Sequence, residues 1–222
     1  MKRVAIYGGS FNPIHNGHTA LAEAVCRAGV VDEVWFMVSP LNPLKQEESN
    51  KILLAEIRLK LARMAVEGTP QLAVSDFETK LPVPSYTITT LTELKNTYPD
   101  CIFSLLVGQD NWERFDRWYQ SDVIKANHDI IVYGRNESEE TRPEGENSNT
   151  VSQSDKFQKS LVTLYKKDGT EFRLSDYFSF SLFDISSTQI REALKSHQLP
   201  FVAKWLKPAV FRYVLENGLY SA

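Results

Sequence analysis

Two histidines three residues apart follow a pair of glycines near the start of the sequence, and together they could bind a phosphate group. Gly8-Gly9 allows the backbone to turn tightly and to approach a ligand without interference from a Cβ atom. A helical pattern follows His18, and the unpaired N–H groups and dipole at the start of a helix favour an anion. Ser10 adds a hydroxyl donor. At this spacing, His15 and His18 could both face the bound group and stabilise charge that builds on its oxygens.

A second candidate phosphate site precedes a helical pattern far along the chain. Ser186, Ser187 and Thr188 stand immediately before that pattern, and we place Arg191 in its first turn. The hydroxyl residues alone would most simply cap a helix. The forked guanidinium of Arg191 could instead clamp phosphate oxygens. Both interpretations stay open on these residues alone.

Two further segments are distinctive, one rich in hydroxyl residues and the other in aromatic residues. Residues 84–94 (PSYTITTLTEL) begin at a predicted helix start, which an ordinary capped helix would also explain. Residues 108–119 (GQDNWERFDRWY) follow directly on an apolar run. The spacing of their aromatic residues equally suits a helix packed on a core. Residue types alone therefore leave the role of both segments open.

These segments need a scaffold, and the hydrophobic pattern predicts one of alternating strands and helices. Apolar runs predict strands at 3–7, 33–38, 71–75, 102–107 and 129–133, and a helical period predicts helices at 19–28, 52–66, 88–94, 188–195 and 209–217. Strands that alternate with helices indicate βα units and a parallel sheet. We therefore predict a single α/β domain over residues 1–222, with a Rossmann-like, doubly wound parallel sheet and C-terminal helices. Such sheets bind ligands at the carboxyl ends of their strands.

One segment interrupts this alternation. Residues 136–160 are polar and rich in Glu, Ser and Asn, so we predict a flexible, solvent-exposed insertion. Beyond it, Asp168-Gly169 lies between two apolar runs and predicts a hairpin.

The composition is that of an ordinary soluble globular protein. Apolar residues make up 42% of the chain and charged residues 24%, with a formal net charge of -3, which argues against a nucleic-acid groove. No run approaches the roughly 20 apolar residues that span a bilayer. Cys26 and Cys101 lack the spacing of metal ligands, and we interpret them as two buried thiols in a reducing compartment. We expect a cytoplasmic protein without nucleic-acid or membrane partners, and the sequence leaves open whether it forms a homo-oligomer.

The residues of the two candidate phosphate sites carry a family resemblance. Residues 8–18 (GGSFNPIHNGH) match neither the dinucleotide fingerprint nor the P-loop. They resemble the G-G-[ST]-F-[DN]-P-x-H-x-G-H motif of nucleotidyltransferases, whose H-x-G-H element binds the nucleotide triphosphate. Residues 185–191 (ISSTQIR) are similar to the second motif of that superfamily, I-S-[SA]-T-x-[IV]-R, which binds the triphosphate from the opposite side.

With the segments at 84–94 and 108–119 included, the chain resembles the nicotinate-nucleotide adenylyltransferase family. The resemblance implies adenylyl transfer from ATP to nicotinate mononucleotide, with release of pyrophosphate and with Mg²⁺ carried mainly by substrate and water. The implied catalytic residues are His15, His18, Lys45 and Arg191. The implied ATP-binding residues are Gly8, Gly9, Ser10, Phe11, His15, His18, Gly108, Asp110, Arg135, Ser187, Thr188 and Arg191. The implied residues for nicotinate mononucleotide are Lys45, Tyr86, Thr87, Trp118 and Tyr119.

One position departs from the family pattern. Where the family commonly has P-x-H-K after the second strand, this chain has Pro43-Leu44-Lys45. The lysine is kept and the histidine is absent, which puts a histidine-dependent role there in doubt.

Other functions stay as alternatives. These are adenylyl transfer to nicotinamide mononucleotide or phosphopantetheine, and an ATP sensor without turnover. A class I aminoacyl-tRNA synthetase fragment is disfavoured because the sequence has no K-M-S-K-S segment and no basic face.

Overall fold

A computed structural model of the chain describes residues 1–40, 52–82, 84–134, 161–180 and 184–221. The predicted insertion at 136–160 lies outside these residues, so it stays a prediction.

A seven-stranded sheet organises the described part of the chain. Its strands are β1 (Lys2–Gly9), β2 (Glu33–Val38), β3 (Leu72–Ser75), β4 (Cys101–Gly108), β5 (Ile130–Gly134), β6 (Leu161–Tyr165) and β7 (Glu171–Arg173). Their order across the sheet is β3-β2-β1-β4-β5-β6-β7. The first five strands of that order are parallel, and β6 and β7 extend them as antiparallel neighbours. The predicted doubly wound sheet and the hairpin at Asp168-Gly169 are confirmed.

Helices cover both faces of the sheet. They are α1 (Asn16–Arg27), α2 (Ala55–Val66), α3 (Thr87–Thr97), α4 (Gln109–Trp112), α5 (Ser121–Asn127), α6 (Ser187–Lys195), α7 (Leu199–Trp205) and α8 (Pro208–Glu216). Within the described ranges, no helix has the length and apolar character needed to cross a membrane.

The interior strand β1 shows why both faces of the sheet are covered. Ala5 and Tyr7 belong to one apolar cluster, whereas Val4 and Ile6 belong to the other. Side chains alternate between the two faces of a strand, so a strand that is apolar throughout must be covered on both sides. This is the reason that a continuous apolar run, rather than an alternating one, marks β1 in the sequence.

The structure corrects several predicted boundaries. Helix α1 begins at Asn16, three residues before the apolar period becomes visible, so His18 lies inside the helix. The aromatic segment is not one helix, because α4 and α5 are separated by a short 3₁₀ turn at Phe115–Arg117. Helix α7 was not predicted, since a proline in its first turn obscures the helical pattern.

The two cysteines differ in exposure. Cys26 is buried and Cys101 is only partly buried. The prediction of two buried thiols is therefore wrong for Cys101, which is the first residue of β4 and lies at the end of the sheet opposite the glycine turn.

Candidate active site

A cleft of about 980 Å³ lies at the carboxyl ends of β1 and β4. These two strands are neighbours in the sheet, and the chain winds outward from them in opposite directions. Such a switch point leaves a crevice in which parallel α/β sheets bind ligands. Every predicted site residue that the structure describes lines this one cleft: Gly8, Gly9, Ser10, Phe11, His15, His18, Tyr86, Thr87, Gly108, Asp110, Trp118, Tyr119, Ser187, Thr188 and Arg191.

The turn after β1, here called the phosphate turn (residues 8–14), is shaped by its glycines. A Cβ atom on Gly9 would lie 3.0 Å from the ring of Phe11, which is itself buried and has a left-handed backbone (φ 45). A Cβ atom on Gly8 would meet nothing within 4 Å. Gly9 is therefore needed for packing within the turn, while Gly8 leaves open space beside the backbone at the cleft.

The two histidines form one unit at the start of α1. His15 is the N-cap residue, and its backbone N–H donates to Nδ1 of His18 at 3.2 Å. Their imidazole rings are stacked with centroids 3.7 Å apart. Because Nδ1 of His18 accepts a hydrogen bond, the neutral ring carries its proton on Nε2. The cap thus fixes both the orientation and the tautomer of His18.

The two phosphate motifs are joined directly. Ser187 Oγ donates to the carbonyl of Pro13 at 2.8 Å, and Arg191 Nη1 donates to the carbonyl of Asn12 at 2.7 Å. Arg191 also donates through Nη2 to Thr188 Oγ1 at 3.1 Å. Residues more than 170 positions apart in the sequence therefore hold one another at the rim of the cleft.

The capping interpretation of the second motif holds for one of its residues. The hydroxyl of Ser186 accepts a hydrogen bond from the backbone N–H of Gln189, so Ser186 is the N-cap of α6. Ser187 instead bonds to Pro13, and Thr188 accepts from Arg191. We predicted Arg191 in the first turn of α6. It is the fifth residue of that helix and therefore lies in the second turn, so this prediction is wrong.

Arg58 of α2 supports the phosphate turn through hydrogen bonds, and the sequence analysis did not identify this residue. Its side chain is only 1% exposed. The guanidinium donates to the carbonyls of Ser10 (2.6 Å), Leu53 (2.8 Å) and Ser39 (2.8 Å), which belong to three different segments. Burial lowers the pKa of Arg58, which nevertheless stays a cation. The available signal was its position between Ile57 and Leu59, within an apolar helical pattern.

The floor of the cleft is built where β4 ends. A Cβ atom on Gly108 would lie 2.6 Å from Oδ1 of Asp110, so only glycine allows that carboxylate its position. Beside it, the hydroxyls of Tyr7 and Tyr133 are hydrogen-bonded at 2.8 Å across the ends of β1 and β5. The predicted G-x-D element therefore places a carboxylate beside a pair of hydroxyl groups.

The aromatic residues gather at the other end of the cleft. Tyr86 is the N-cap of α3, and its ring centroid lies 5.0 Å from that of Tyr119. Trp118 packs on the buried Phe115 at 4.8 Å, and its buried indole N–H has no hydrogen-bond acceptor among the described residues. The core interpretation is thus correct for Phe115, whereas Trp118 both packs on the core and lines the cleft.

A carboxyl group lies at this aromatic end and was also missed. Ser85 Oγ donates to Oε1 of Glu78 at 2.7 Å, and both residues line the cleft. Burial raises the pKa of Glu78. The contact ties the 3₁₀ turn at Phe77–Lys80 to the segment that starts α3, so it orients the hydroxyl and aromatic residues there.

Three residues of the sequence interpretation lie outside the described residues. These are Lys45, the neighbouring Leu44, and Arg135. Their roles stay predictions. Among the residues that the structure does describe, no group of three or more His, Cys, Asp or Glu side chains could hold a metal ion.

The doubly wound sheet, the glycine turn at its switch point and the basic residues around that turn define a nucleotidyltransferase. Residues 6–193 match the model of the cytidylyltransferase-like family. A Bacteroides fragilis protein named "Probable nicotinate-nucleotide adenylyltransferase" is 39% identical over 97% of this chain and 92% of its own length. A Flavobacterium johnsoniae protein of the same name is 33% identical over 99% of both chains. The chain belongs to the nicotinate-nucleotide adenylyltransferase family, which confirms the resemblance inferred from the motifs.

Solved structures agree in fold. The nicotinic acid mononucleotide adenylyltransferase of Plasmodium falciparum complexed with NaAD aligns with a TM-score of 0.66, at 17% identity, over 99% of this chain and 98% of that one. The same enzyme complexed with APC aligns with a TM-score of 0.65, at 16% identity and the same coverage. At these identities the likeness concerns the fold.

Proposed function

We propose that this cleft transfers the adenylyl group of ATP to nicotinate mononucleotide, giving nicotinate adenine dinucleotide and pyrophosphate. The observation that carries the proposal is that one cleft has two chemically different ends. Its phosphate end joins both motifs through the bonds of Arg191 and Ser187 to the phosphate turn. Its other end presents Tyr86, Trp118 and Tyr119. A triphosphate and a flat pyridine ring would each find suitable partners in this one cleft.

At the phosphate end, the reaction requires charge neutralisation and alignment rather than a covalent enzyme intermediate. An oxygen of the acceptor 5′-phosphate attacks the α-phosphorus of ATP. As that bond forms, the bond from the α-phosphorus to the α,β-bridging oxygen breaks, and pyrophosphate leaves with the electron pair. His15 and His18 would donate to the α- and β-phosphate oxygens, and Arg191 would bind the leaving pyrophosphate. The stacked, capped histidine pair is suited to this because its geometry is set before substrate arrives.

The remaining residues of this end would bind the nucleotide itself. Gly8, Gly9, Ser10 and Phe11 would bring backbone and hydroxyl donors to the phosphates, with Ser187 and Thr188 on the opposite side. Gly108 and Asp110 would meet the adenosine part, as would Arg135. Lys45 would neutralise both reacting anions.

Mg²⁺ would accompany ATP. It is a hard cation that prefers phosphate, carboxylate and water oxygens and usually retains several waters. Because Mg²⁺ at phosphate-transfer sites is usually held by substrate phosphates and waters, we assign its ligands mainly to those oxygens. Its chemistry there is neutralisation of phosphate charge.

At the aromatic end, an indole face suits a pyridine ring. Trp118 would stack on that ring, and Tyr86 and Thr87 would contact the nicotinate. The backbone N–H of Tyr119 would donate to its carboxylate. The contact between Glu78 and Ser85 supports this arrangement, because it fixes the segment that carries Tyr86 and Thr87.

The test is product formation with competing acceptors. We expect purified protein with ATP and Mg²⁺ to convert nicotinate mononucleotide with a higher kcat/KM than nicotinamide mononucleotide, and not to use phosphopantetheine. His18→Ala should abolish turnover with the fold intact, while His197→Ala, at an exposed position away from the cleft, should not. A preference for another acceptor would refute the assigned substrate. Binding of ATP without any product would instead indicate a sensor.

A further inference from the structure

The residues that follow α8 return the chain towards the phosphate turn. Gly218 has a left-handed backbone (φ 58). Its N–H donates to the carbonyl of Leu215 at 3.2 Å, and the N–H of Leu219 donates to that of Val214 at 3.0 Å. These two bonds form the Schellman arrangement that ends many helices at a glycine. It reverses the chain direction and delivers Tyr220 to the protein interior.

Tyr220 lies outside regular secondary structure, yet it is buried and hydrogen-bonded. Its side chain is 9% exposed, and its own backbone is left-handed (φ 66), a conformation disfavoured for a bulky residue. Its hydroxyl donates to Oδ1 of Asn12 at 2.9 Å. Burial raises the pKa of Tyr220, so the hydroxyl stays protonated and keeps its role as donor.

Asn12 is the point at which distant segments meet the phosphate turn. The residue is 2% exposed. Its side-chain oxygen accepts from Tyr220 and also from the backbone N–H of Leu53 at 3.3 Å, while its backbone carbonyl accepts from Arg191. Asn12 thus accepts hydrogen bonds from three separate segments: the lead into α2, the second phosphate motif and the segment after α8.

We propose that Tyr220 is a positioning residue of the nucleotide site, acting through Asn12 to fix the phosphate turn and the two histidines that follow it. Only Pro13 and Ile14 separate Asn12 from His15, and Ile14 is fully buried. A shift of Asn12 would therefore be transmitted to the histidine pair rather than absorbed by a loose loop. The proposal rests on the adenylyl-transfer function proposed above, because the histidines matter to turnover only if they bind the reacting phosphates.

Tyr220→Phe tests the proposal because it removes the hydroxyl and keeps the ring. We expect kcat to fall about threefold to tenfold, the size of effect that corresponds to losing one hydrogen bond. The KM for the acceptor should stay unchanged, since Tyr86, Trp118 and Tyr119, which we assign to the acceptor, lie on other segments than the phosphate turn. Tyr213→Phe on α8 is the matched control, because its ring contact with Lys60 survives loss of the hydroxyl. We expect wild-type kcat for that variant.

A double-mutant cycle separates positioning from general support of the fold. In an Asn12→Ala background the Tyr220 hydroxyl has lost its acceptor, so Tyr220→Phe should cause no further loss of kcat. An equal loss in both backgrounds would overturn the proposal. An equal kcat for Tyr220→Phe and Tyr213→Phe would also overturn the proposal. If Asn12→Ala does not fold, this comparison is sufficient by itself.

The outcome is distinguishable from failure of the proposed function. If the wild-type protein does not convert nicotinate mononucleotide, that function fails. Tyr220 can then still be tested by calorimetry with a non-hydrolysable ATP analogue. We expect about threefold weaker binding to Tyr220→Phe than to Tyr213→Phe, in line with one weakened contact. Equal affinity would overturn the positioning role.

Discussion

Replacing Arg58 with methionine tests whether a buried guanidinium supports the phosphate turn. Methionine keeps an unbranched side chain of similar length, so the change removes the charge and its hydrogen bonds with little loss of apolar packing. Three short bonds of 2.6, 2.8 and 2.8 Å to backbone carbonyls are lost together, along with a longer one of 3.3 Å to the carbonyl of Pro40. The acceptors of the short bonds are Ser10, Leu53 and Ser39, so the phosphate turn, the lead into α2 and the end of β2 lose a common partner.

The expected cost follows from these contacts. A hydrogen bond from a charged donor contributes about 1.5–3 kcal/mol to stability, which gives about 4.5–9 kcal/mol for the three short bonds. Two effects reduce that sum. The carbonyls are only part-buried, so water can replace the donor at some of them. Removing the cation also removes its desolvation cost, the effect that lowers the pKa of Arg58. We therefore expect Arg58→Met to reduce the free energy of unfolding by about 3 kcal/mol.

Urea denaturation followed by circular dichroism measures this change, and α2 provides the control. Arg63 lies on the same helix with its side chain 57% exposed, in an ion pair of 3.7 Å with Asp76. Exposed pairs contribute about 0–1 kcal/mol, so Arg63→Met should change stability by no more than that. A loss for Arg58→Met below about 1 kcal/mol, or equal to that for Arg63→Met, would show that the three bonds do not hold the turn.

Two further predictions concern the ends of the cleft. In Gly17→Ala the new Cβ would lie 3.0 Å from both Nδ1 of His15 and Cγ2 of Ile185, so pyrophosphate release should slow by at least about tenfold. Alanine otherwise favours a helix, so wild-type turnover with raised stability would mean that the space is not as tight as described. For Glu78, burial raises the pKa in the folded state, so the folded protein binds more protons than the unfolded chain as the pH rises above the usual value of 4.5. The contribution of Glu78 to the free energy of unfolding therefore falls as the pH rises above 4.5. Urea denaturation at several pH values should show a smaller fall for Glu78→Gln than for the wild type. An equal fall in both proteins would contradict a raised pKa for Glu78.

The sequence was sufficient to predict features that depend on residues adjacent in the chain. Strand β1 and the phosphate turn could be predicted because an apolar run, two glycines and two histidines are adjacent in the chain. The same holds for the fold class, since alternating strand and helix patterns allow few topologies. Two short motifs indicated the nucleotidyltransferase superfamily, and the segments at 84–94 and 108–119 indicated the narrower family. Boundaries such as the start of α1 were less accurate, because His15 is not a residue that usually caps a helix.

Tertiary structure decided which residues support the site. The apolar neighbours of Arg58 indicate burial, but its acceptors in the phosphate turn and after β2 are brought to it only by the packing of α2. Tyr220 lies 208 residues from the asparagine that it contacts, and the pairing of Glu78 with Ser85 depends on how two turns meet. A hydrogen bond needs donor and acceptor within about 3 Å in the right direction. For residues far apart in sequence, that condition is set by the path of the whole chain, whereas residue type states only what each side chain could donate or accept.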